Sequence, residues 1–291
     1  MAAACTVTPS GSALIGVSSY TDTSILAHTP KGAEAARGIS CFWLDLATGE
    51  LTPCGGADVG PNPAFLLQSK SQPGVVYAST ERIDADGSVF SLRLARDGDR
   101  VNLAPVDERS AGGRSTCYLA EDASGRWLRL TNYWEASVAV LPVERDALGP
   151  AADAHLLPPA AALVAADDHG KRVALAPRCR EPARYCLETQ PSREEHWAYR
   201  QRWPHAHCVV TEPYAQQTHF VVDLGEDAVY HYGFDDAVGR LTCEAAHESN
   251  VLHAIDATPH PTHWLICAQV QGRHAAGTGQ GPAPRRLPPF T

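Results

Sequence analysis

The chain has 291 residues, a formal net charge of −9 and 44% hydrophobic residues, which are the proportions of a folded protein with one or two domains. Its acidic balance argues against nucleic acid or an anionic membrane as the main partner. No apolar run approaches the roughly 18 residues of a transmembrane helix, so no membrane span is expected. The start of the chain lacks a basic region followed by a continuous apolar stretch, so no secretory signal is expected either.

The nine cysteines are scattered, odd in number and never form a C-x-x-C pair. A disulfide framework or a structural zinc site is therefore not expected, and most of these residues should be reduced, partly buried thiols. No metal and no other cofactor is predicted. This use of cysteine favours a cytoplasmic location.

Short β-branched and aromatic runs, bounded by Gly, Asp, Asn or Pro, follow one another along the chain. Amphipathic patterns of helical length with caps are hard to find. The sequence therefore predicts an all-β fold. The clearest runs lie at 75–79, 89–95, 137–143, 207–212, 219–224 and 228–234.

These runs form a repeat of an apolar strand, a turn and a second strand, closed by the pattern D-x-x-x-G-x-L. That closing pattern occurs at 45–51 and at 235–241, with a weaker third copy at 146–149. A four-stranded propeller blade takes roughly 40–50 residues, and the repeat has this period if some connections carry insertions. The spacing predicts a β-propeller. The inner segments of its successive units are predicted to begin near residues 13, 75, 127, 218 and 263.

Two stretches depart from the repeat. Residues 144–204 are rich in Ala and Pro and then in charged and aromatic residues, which predicts a long insertion between blades. Residues 272–291 are rich in Gly and Pro without alternation, which predicts a disordered tail. The partial propeller is therefore predicted to occupy residues 1–271.

One predicted blade combines P-H-A-H at 204–207 with D-L-G-x-D-x-V at 223–229, a pairing that is specific although each part alone is weak. Together with further matching segments, this blade resembles the 6-phosphogluconolactonase family of seven-bladed β-propellers, which also includes a carboxy-muconate cyclase. The resemblance covers roughly residues 13–143 and 202–243. The further segments lie at 38–51, 60–66, 74–81 and 131–140.

The chain also departs from this family. A G-P-R-H segment and a later N-E pair are usual in the following blade, but the stretch at 252–269 lacks that Arg and Glu. Tyr118 stands where the family usually has a histidine after the cysteine. Only about four to five of the seven implied blades can be counted. The propeller is thus predicted to be incomplete, with open sheet edges through which the chain could self-associate.

Three residues are candidates for catalysis. His205 and His207 are separated by two positions on entering a strand, so both project to one sheet face, and the first strand of a blade lines the central channel. A neutral imidazole can accept a proton from water near pH 7. Glu81 ends a strand, where an enclosed carboxylate with a raised pKa can act as a base. The alternative is that the histidines are hydrogen-bonded structural groups and that Glu81 is a solvated turn residue.

Five further residues are candidates for substrate binding. Arg202 and Arg114 suit a phosphate or carboxylate, because guanidinium groups bind such anions in a bidentate manner. Asn132 and Tyr133 can donate hydrogen bonds into the channel, although an asparagine at a strand end is as often a turn former. Asp223 lies in an otherwise apolar strand, where it must find partners, and a structural role in bonding backbone N–H groups between blades is the favoured one.

The resemblance implies a lactonase-like hydrolase that opens a sugar lactone such as 6-phosphoglucono-δ-lactone, with His207 or Glu81 as the general base. A carboxy-muconate cyclase-like isomerase and a non-catalytic truncated propeller are the alternatives, since a fold does not fix a function. The expected partner is a small-molecule lactone. Nucleophile-elbow, P-loop and dinucleotide-binding motifs are not found.

Overall fold

The computed structural model describes residues 3–7, 11–26, 30, 32–157, 204–212, 216–224, 228–248, 254–259 and 264–268. Within these ranges the chain is all-β, as predicted, with one short 3₁₀ turn at Thr23–Ile25. In this part of the chain no helix has the length and apolar character needed to cross a membrane. The predicted tail and most of the predicted insertion lie outside the described residues.

The strands form consecutive antiparallel units, here called blades, in which each strand pairs with the next. Blade 1 contains β1 (Ala3–Val7), β2 (Ser12–Ser18), β3 (Ile39–Asp45) and β4 (Leu51–Ala57). Blade 2 contains β5 (Pro63–Gln68), β6 (Val75–Thr80), β7 (Ser88–Asp97) and β8 (Arg100–Ser110).

Blades 3 and 4 continue this pattern after blade 2. Blade 3 contains β9 (Thr116–Glu121), β10 (Trp127–Asn132) and β11 (Ser137–Glu144), with β12 (Ala147–Leu148) and β13 (Asp153–Leu156) both paired to β11. Blade 4 contains β14 (Ala206–Thr211), β15 (Thr218–Asp223), β16 (Ala228–Asp235) and β17 (Arg240–Glu248), and is followed by a hairpin of β18 (Ala254–Pro259) and β19 (Trp264–Ala268).

The first strand of each unit contacts the first strand of the next: β1 contacts β5, β5 contacts β9, β9 contacts β14, and β14 contacts β18. This succession places the first strands side by side around a common axis, which is the arrangement of a β-propeller. Three four-stranded blades, the five-stranded blade 3 and a two-stranded part of a fifth blade lie within the described residues. The predicted partial propeller is therefore confirmed.

The predicted inner segments are displaced by one strand. The segments that begin near 75, 127 and 218 are β6, β10 and β15, which are the second strands of their blades. These second strands are buried on both faces, so their apolar residues dominate the sequence pattern. The true inner strands β5 and β9 each bury only two of six residues, because one face meets the channel.

The repeated turn joins the third and fourth strands of a blade. The Gly49 N–H donates to Asp45 O at 2.8 Å, and the Gly239 N–H donates to Asp235 O at 2.9 Å. Both glycines have positive φ angles, of 77° and 71°, which L side chains rarely adopt. The weaker copy at 146–149 is a different turn, since it follows Arg145 into the short strand β12.

The core lies between the blades rather than within one layer. Leu14 and Leu92 belong to the cluster between blades 1 and 2, Tyr77 and Leu128 to the one between blades 2 and 3. The third cluster joins blades 3 and 4 and includes Tyr230. Burial of each large side chain contributes about 1.5–3 kcal/mol, so these interfaces hold the blades in fixed relative positions.

The outer edge of blade 3 differs from the prediction for residues 144–204. The start of this stretch, up to residue 157, belongs to the blade, because β13 pairs with Ser137–Val140 of β11 and β12 pairs with its end. The Ala-rich composition concealed these strands, since alanine is uncommon in sheets. Among the cysteines whose side chains the structure describes, all five are free thiols: Cys41, Cys54, Cys117, Cys208 and Cys243.

Candidate active site

The candidate residues lie at one end of the propeller, where the inner strands begin and the second strands end. At this end the residue after the second strand donates its backbone N–H to the residue before the inner strand. This bond recurs in three blades with the same N···O distance of 2.9 Å. The pairs are Glu81 N–H to Asn62 O, Tyr133 N–H to Ser115 O, and Leu224 N–H to His205 O. Glu81 and Tyr133 therefore occupy equivalent positions at the mouth of the channel.

The Glu81 carboxylate accepts a hydrogen bond from the Tyr20 hydroxyl, with 2.8 Å between Oη and Oε2. Burial raises the pKa of Glu81, and the hydrogen bond from Tyr20 opposes this rise. Burial also raises the pKa of Tyr20 well above its ordinary value, and the charge of Glu81 adds to that rise. Tyr20 therefore remains a donor at neutral pH, and Glu81 is partly exposed.

Asn62 holds the segment that carries Tyr20. Its Oδ1 accepts the backbone N–H groups of Thr21 and Asp22 at 2.9 and 2.8 Å, and its Nδ2 donates to Asp22 O at 2.7 Å. The side chain is fully buried, and the backbone has a φ of 53°, which asparagine tolerates better than most residues. The loop after β2 is thereby fixed against the start of blade 2.

Cys117 lies between Glu81 and blade 4. Its Sγ donates to His207 O at 3.2 Å. Burial raises the pKa of the Cys117 thiol, and the charge of Glu81 raises it further, because the two groups are neighbours. The thiol therefore stays protonated and links blade 3 to the strand that carries the histidines.

The two histidines and Tyr133 form one aromatic cluster. The His205 ring stacks on the Tyr133 ring with 4.3 Å between centroids, and its Nδ1 lies 3.1 Å from Tyr133 O. The contact to a carbonyl assigns the ring proton to Nδ1. The His207 ring meets Tyr133 edge-on at 6.0 Å. His205 is buried whereas His207 is partly exposed, so His207 is the histidine that a channel ligand can reach.

Asn132 and Asp223 occupy equivalent positions at the last residue of a second strand, and both are fully buried. Asn132 donates to Ala111 O and to Ser137 Oγ at 3.0 Å each, so neither amide hydrogen is left for a substrate. Asp223 accepts the His205 N–H at 3.0 Å, a bond within one blade rather than between blades. The geometry gives both residues a structural part, in place of the substrate contact expected of Asn132.

The structure describes one of the two arginines expected to bind an anion, Arg114. The Arg114 guanidinium pairs with the Glu135 carboxylate, and the Arg114 N–H donates to the same carboxylate at 2.6 Å. Its charge is therefore already compensated. Arg202 lies outside the described residues.

Three residues of this site were missed in the sequence: Tyr20, Asn62 and Cys117. Asn62 lies in the G-P-N-P segment, whose asparagine between two prolines indicates a special backbone conformation. Tyr20 and Cys117 carry no comparable signal, because their importance comes from contacts with other blades.

Comparison with known proteins agrees with this architecture. Residues 15–251 match the family described as "Lactonase, 7-bladed beta-propeller". The match covers most of the chain, so this protein belongs to the lactonase family of seven-bladed β-propellers. No curated protein matches the chain.

Solved structures with the same fold include two candidate 6-phosphogluconolactonases and a periplasmic gluconolactonase. The protein from Bacteroides fragilis is 22% identical, with a TM-score of 0.56 over 81% of this chain and 54% of that one. The protein from Bacteroides uniformis is 21% identical, with a TM-score of 0.57 over 83% and 57%. The Pseudomonas aeruginosa protein is 23% identical, with a TM-score of 0.57 over 81% and 55%. The chain thus spans little more than half the length of these structures.

Proposed function

We propose that this protein is a hydrolase that opens a sugar lactone, such as 6-phosphoglucono-δ-lactone, by general-base activation of water. The observation that carries the proposal is Glu81, a partly exposed residue at the channel mouth whose carboxyl pKa is raised by burial. A base with a pKa nearer to neutrality removes a proton from water more effectively while it is still ionised at working pH. Membership of the lactonase family supports the same reaction class.

The proposed reaction needs few groups. Tyr20 holds Oε2 of Glu81, and Oε1 makes no hydrogen bond with the described residues, so Oε1 is the oxygen for the attacking water. Water gives its proton to Glu81 while its oxygen bonds to the lactone carbonyl carbon. The ring C–O bond then breaks, and Glu81 returns the proton to the departing ring oxygen. His207, whose partly exposed ring meets Tyr133 edge-on, is proposed to donate a hydrogen bond to the oxyanion that forms.

Such chemistry requires only a modest contribution from the protein. Sugar lactones open slowly in water without a catalyst, and a positioned general base contributes about 10²–10⁴ in rate. An active site with one carboxylate and a few hydrogen-bond donors is sufficient for that gain. A cytoplasmic location and a place in the pentose phosphate pathway belong to the same proposal.

The phosphate of the substrate is a separate part of the proposal. Arg114 is already paired with Glu135, so binding a phosphate requires the guanidinium to share or exchange that carboxylate. An unphosphorylated sugar lactone has no phosphate to bind, so its binding does not require Arg114 to leave Glu135. The two substrate classes therefore have to be compared directly.

The test is a ring-opening assay in which the acid released at constant pH is titrated. The purified protein is given 6-phosphoglucono-δ-lactone, glucono-δ-lactone and a carboxylated muconolactone in turn. We expect opening of at least one sugar lactone above its spontaneous rate. Turnover of the muconolactone alone would replace the proposal by the isomerase alternative. No turnover of any of the three would leave the non-catalytic propeller as the correct description.

A further inference from the structure

Tyr20 reaches Glu81 from a different blade. It follows β2 of blade 1, whereas Glu81 follows β6 of blade 2, and the two side chains meet with 2.8 Å between Oη and Oε2. A contact between residues so distant in sequence is maintained only if something fixes the loop that carries the tyrosine. Otherwise a partly exposed hydrogen bond would exchange with water at little net gain.

The loop is fixed on both sides. Asn62 satisfies the backbone of Thr21 and Asp22, and its own N–H donates to Thr21 Oγ1 at 3.2 Å. On the other side, the Glu34 carboxylate accepts both the N–H and the hydroxyl of Thr23, at 2.7 and 2.8 Å. Asp22 caps the following 3₁₀ turn. The segment next to Tyr20 is therefore held by side chains rather than by a strand ladder.

We propose that Tyr20 is the positioning residue of Glu81 and that Asn62 holds Tyr20 in that place. The tyrosine hydroxyl occupies one carboxylate oxygen and turns the other toward the channel. The catalytic role of the Tyr20–Glu81 pair rests on the proposed function, but the effect of Tyr20 on the Glu81 pKa can be measured on the protein without any substrate.

Tyr20 should shift the pKa of Glu81 in one defined direction. Among the described residues, the groups that face Glu81 are the Tyr20 hydroxyl and the Cys117 thiol, which is neutral. The charge of the N-terminal amine also lowers the pKa of Glu81, by less than the Tyr20 hydrogen bond does. A hydrogen bond donated to a carboxylate stabilises its charged form and lowers its pKa, against the rise caused by burial. Removal of the hydroxyl takes away the larger of the two effects that oppose burial, so the pKa of Glu81 should rise further.

The experiment is a titration of ¹³C-labelled glutamate side chains by NMR, with the Glu81 signal assigned from Glu81→Gln. In Tyr20→Phe we expect the Glu81 midpoint to move to higher pH by about one unit, since hydrogen bonds to charged groups are among the stronger ones. Tyr77→Phe is the matched control, because Tyr77 packs between blades 2 and 3 and does not contact Glu81. An unchanged midpoint in Tyr20→Phe would overturn the proposal.

Asn62→Gly tests the second half of the proposal. Glycine accepts the positive φ at this position, so the variant removes the side chain without straining the backbone. We expect it to move the Glu81 midpoint in the same direction as Tyr20→Phe, with no further movement in the double variant. Additive shifts in the double variant would show that Asn62 acts independently of Tyr20 and would refute its role.

The lactone assay separates this inference from the proposed function. If the wild-type protein opens lactones, the low-pH limb of kcat/KM should follow Glu81 and move to higher pH in Tyr20→Phe. If the wild type opens none while the NMR midpoint still moves, the proposed function fails and the Tyr20–Glu81 pairing stands. If the wild type is active but Tyr20→Phe does not move the low-pH limb of kcat/KM, the positioning role alone is refuted.

Discussion

Two ionisable residues in neighbouring parts of the propeller have opposite surroundings. Glu81 lies at the channel mouth, has a tyrosine donor and keeps part of its surface exposed. Arg129 lies in the middle of β10, between blades 3 and 4, and is fully buried. Its Nη1 lies about 3 Å from the ring nitrogens of His219, whereas its Nε and Nη2 have no hydrogen-bond partner. Among the described residues no carboxylate pairs with it.

The electrostatic consequences differ as well. Burial lowers the pKa of Arg129 to about 10, which shows how unfavourable the cation is between the blades. Burial lowers the pKa of His219 to about 2, and the Arg129 charge contributes, so the imidazole is neutral in the folded protein. The comparison shows that a perturbed pKa marks a candidate site only where the group can still be reached. Glu81 meets that condition and Arg129 does not.

The largest expected effect is on the reaction, at Glu81. Glu81→Gln keeps the shape of the side chain and its contact with Tyr20 but cannot accept a proton from water. We expect the rate of lactone opening to fall by about 10²–10⁴, the contribution of a general base. The measurement is kcat/KM in the ring-opening assay, with the exposed Glu50→Gln as control.

His207→Ala extends this test. If His207 only donates to the oxyanion, its loss should be smaller than that of Glu81→Gln, and stability should change little because His207 is partly exposed. A greater loss in His207→Ala would make the histidine the base instead. Full activity of Glu81→Gln would remove the carboxylate from the mechanism.

The next effect concerns stability, at Arg129. Arg129→Met replaces a buried cation, which lies over the Phe234 ring but pairs with no carboxylate of the described residues, by an apolar side chain of similar length. Substitutions of this kind are often neutral or stabilising by about 1–4 kcal/mol, and we expect stabilisation here. The free energy of urea unfolding measures it. The control is Arg126→Met, which removes an exposed ion pair with Asp236 and should change stability by less than about 1 kcal/mol. Marked destabilisation by Arg129→Met would mean that the guanidinium has a partner in solution.

A smaller, pH-dependent effect follows from His219. Its pKa is about 2 in the folded protein and 6.5 as the ordinary value, so the unfolded chain binds the extra proton first as pH falls. The contribution of His219 to stability is therefore complete above about pH 6.5 and is lost progressively below it, by about 1.4 kcal/mol per pH unit. His219→Gln should lose less stability than the wild type between pH 6.5 and pH 5. If the free energies of unfolding of the two proteins change in parallel with pH, His219 is not a neutral buried group.

The sequence predicted the architecture well because the repeat is local. The turn from Asp45 to Gly49 and its copy from Asp235 to Gly239 depend on residues within five positions of each other, so their pattern is visible without a structure. The position of the blades followed from these turns and from the strongly apolar second strands. The order of strands within a blade did not, since an inner strand differs from a second strand mainly in having one of its faces at the channel instead of buried.

The site was less predictable because its contacts join different blades. Glu81 and His207 were predicted as site residues from residue type and strand position, but nothing local connects Tyr20 with Glu81. Asn132 shows the opposite failure. A polar residue at a strand end suggested a ligand contact, whereas a buried amide must first satisfy its own hydrogen bonds, and the neighbouring loop supplies them.

The smallest expected effect distinguishes the contribution of burial to the raised pKa of Cys117 from the contribution of the Glu81 charge. Burial is the main cause of its raised pKa, and the neighbouring Glu81 charge is a lesser one. Only the thiolate reacts with iodoacetamide, so Cys117 should be alkylated more slowly than the partly exposed Cys54. Burial also raises the pKa of Cys54, but the charge of Arg96 partly opposes that rise. Glu81→Gln removes the charge and leaves the burial, so the alkylation of Cys117 should accelerate only slightly, by about threefold or less. Mass spectrometry of the native protein at fixed times measures both rates. Acceleration of Cys117 to the rate of Cys54 would show that the Glu81 charge, rather than burial, keeps the thiol protonated.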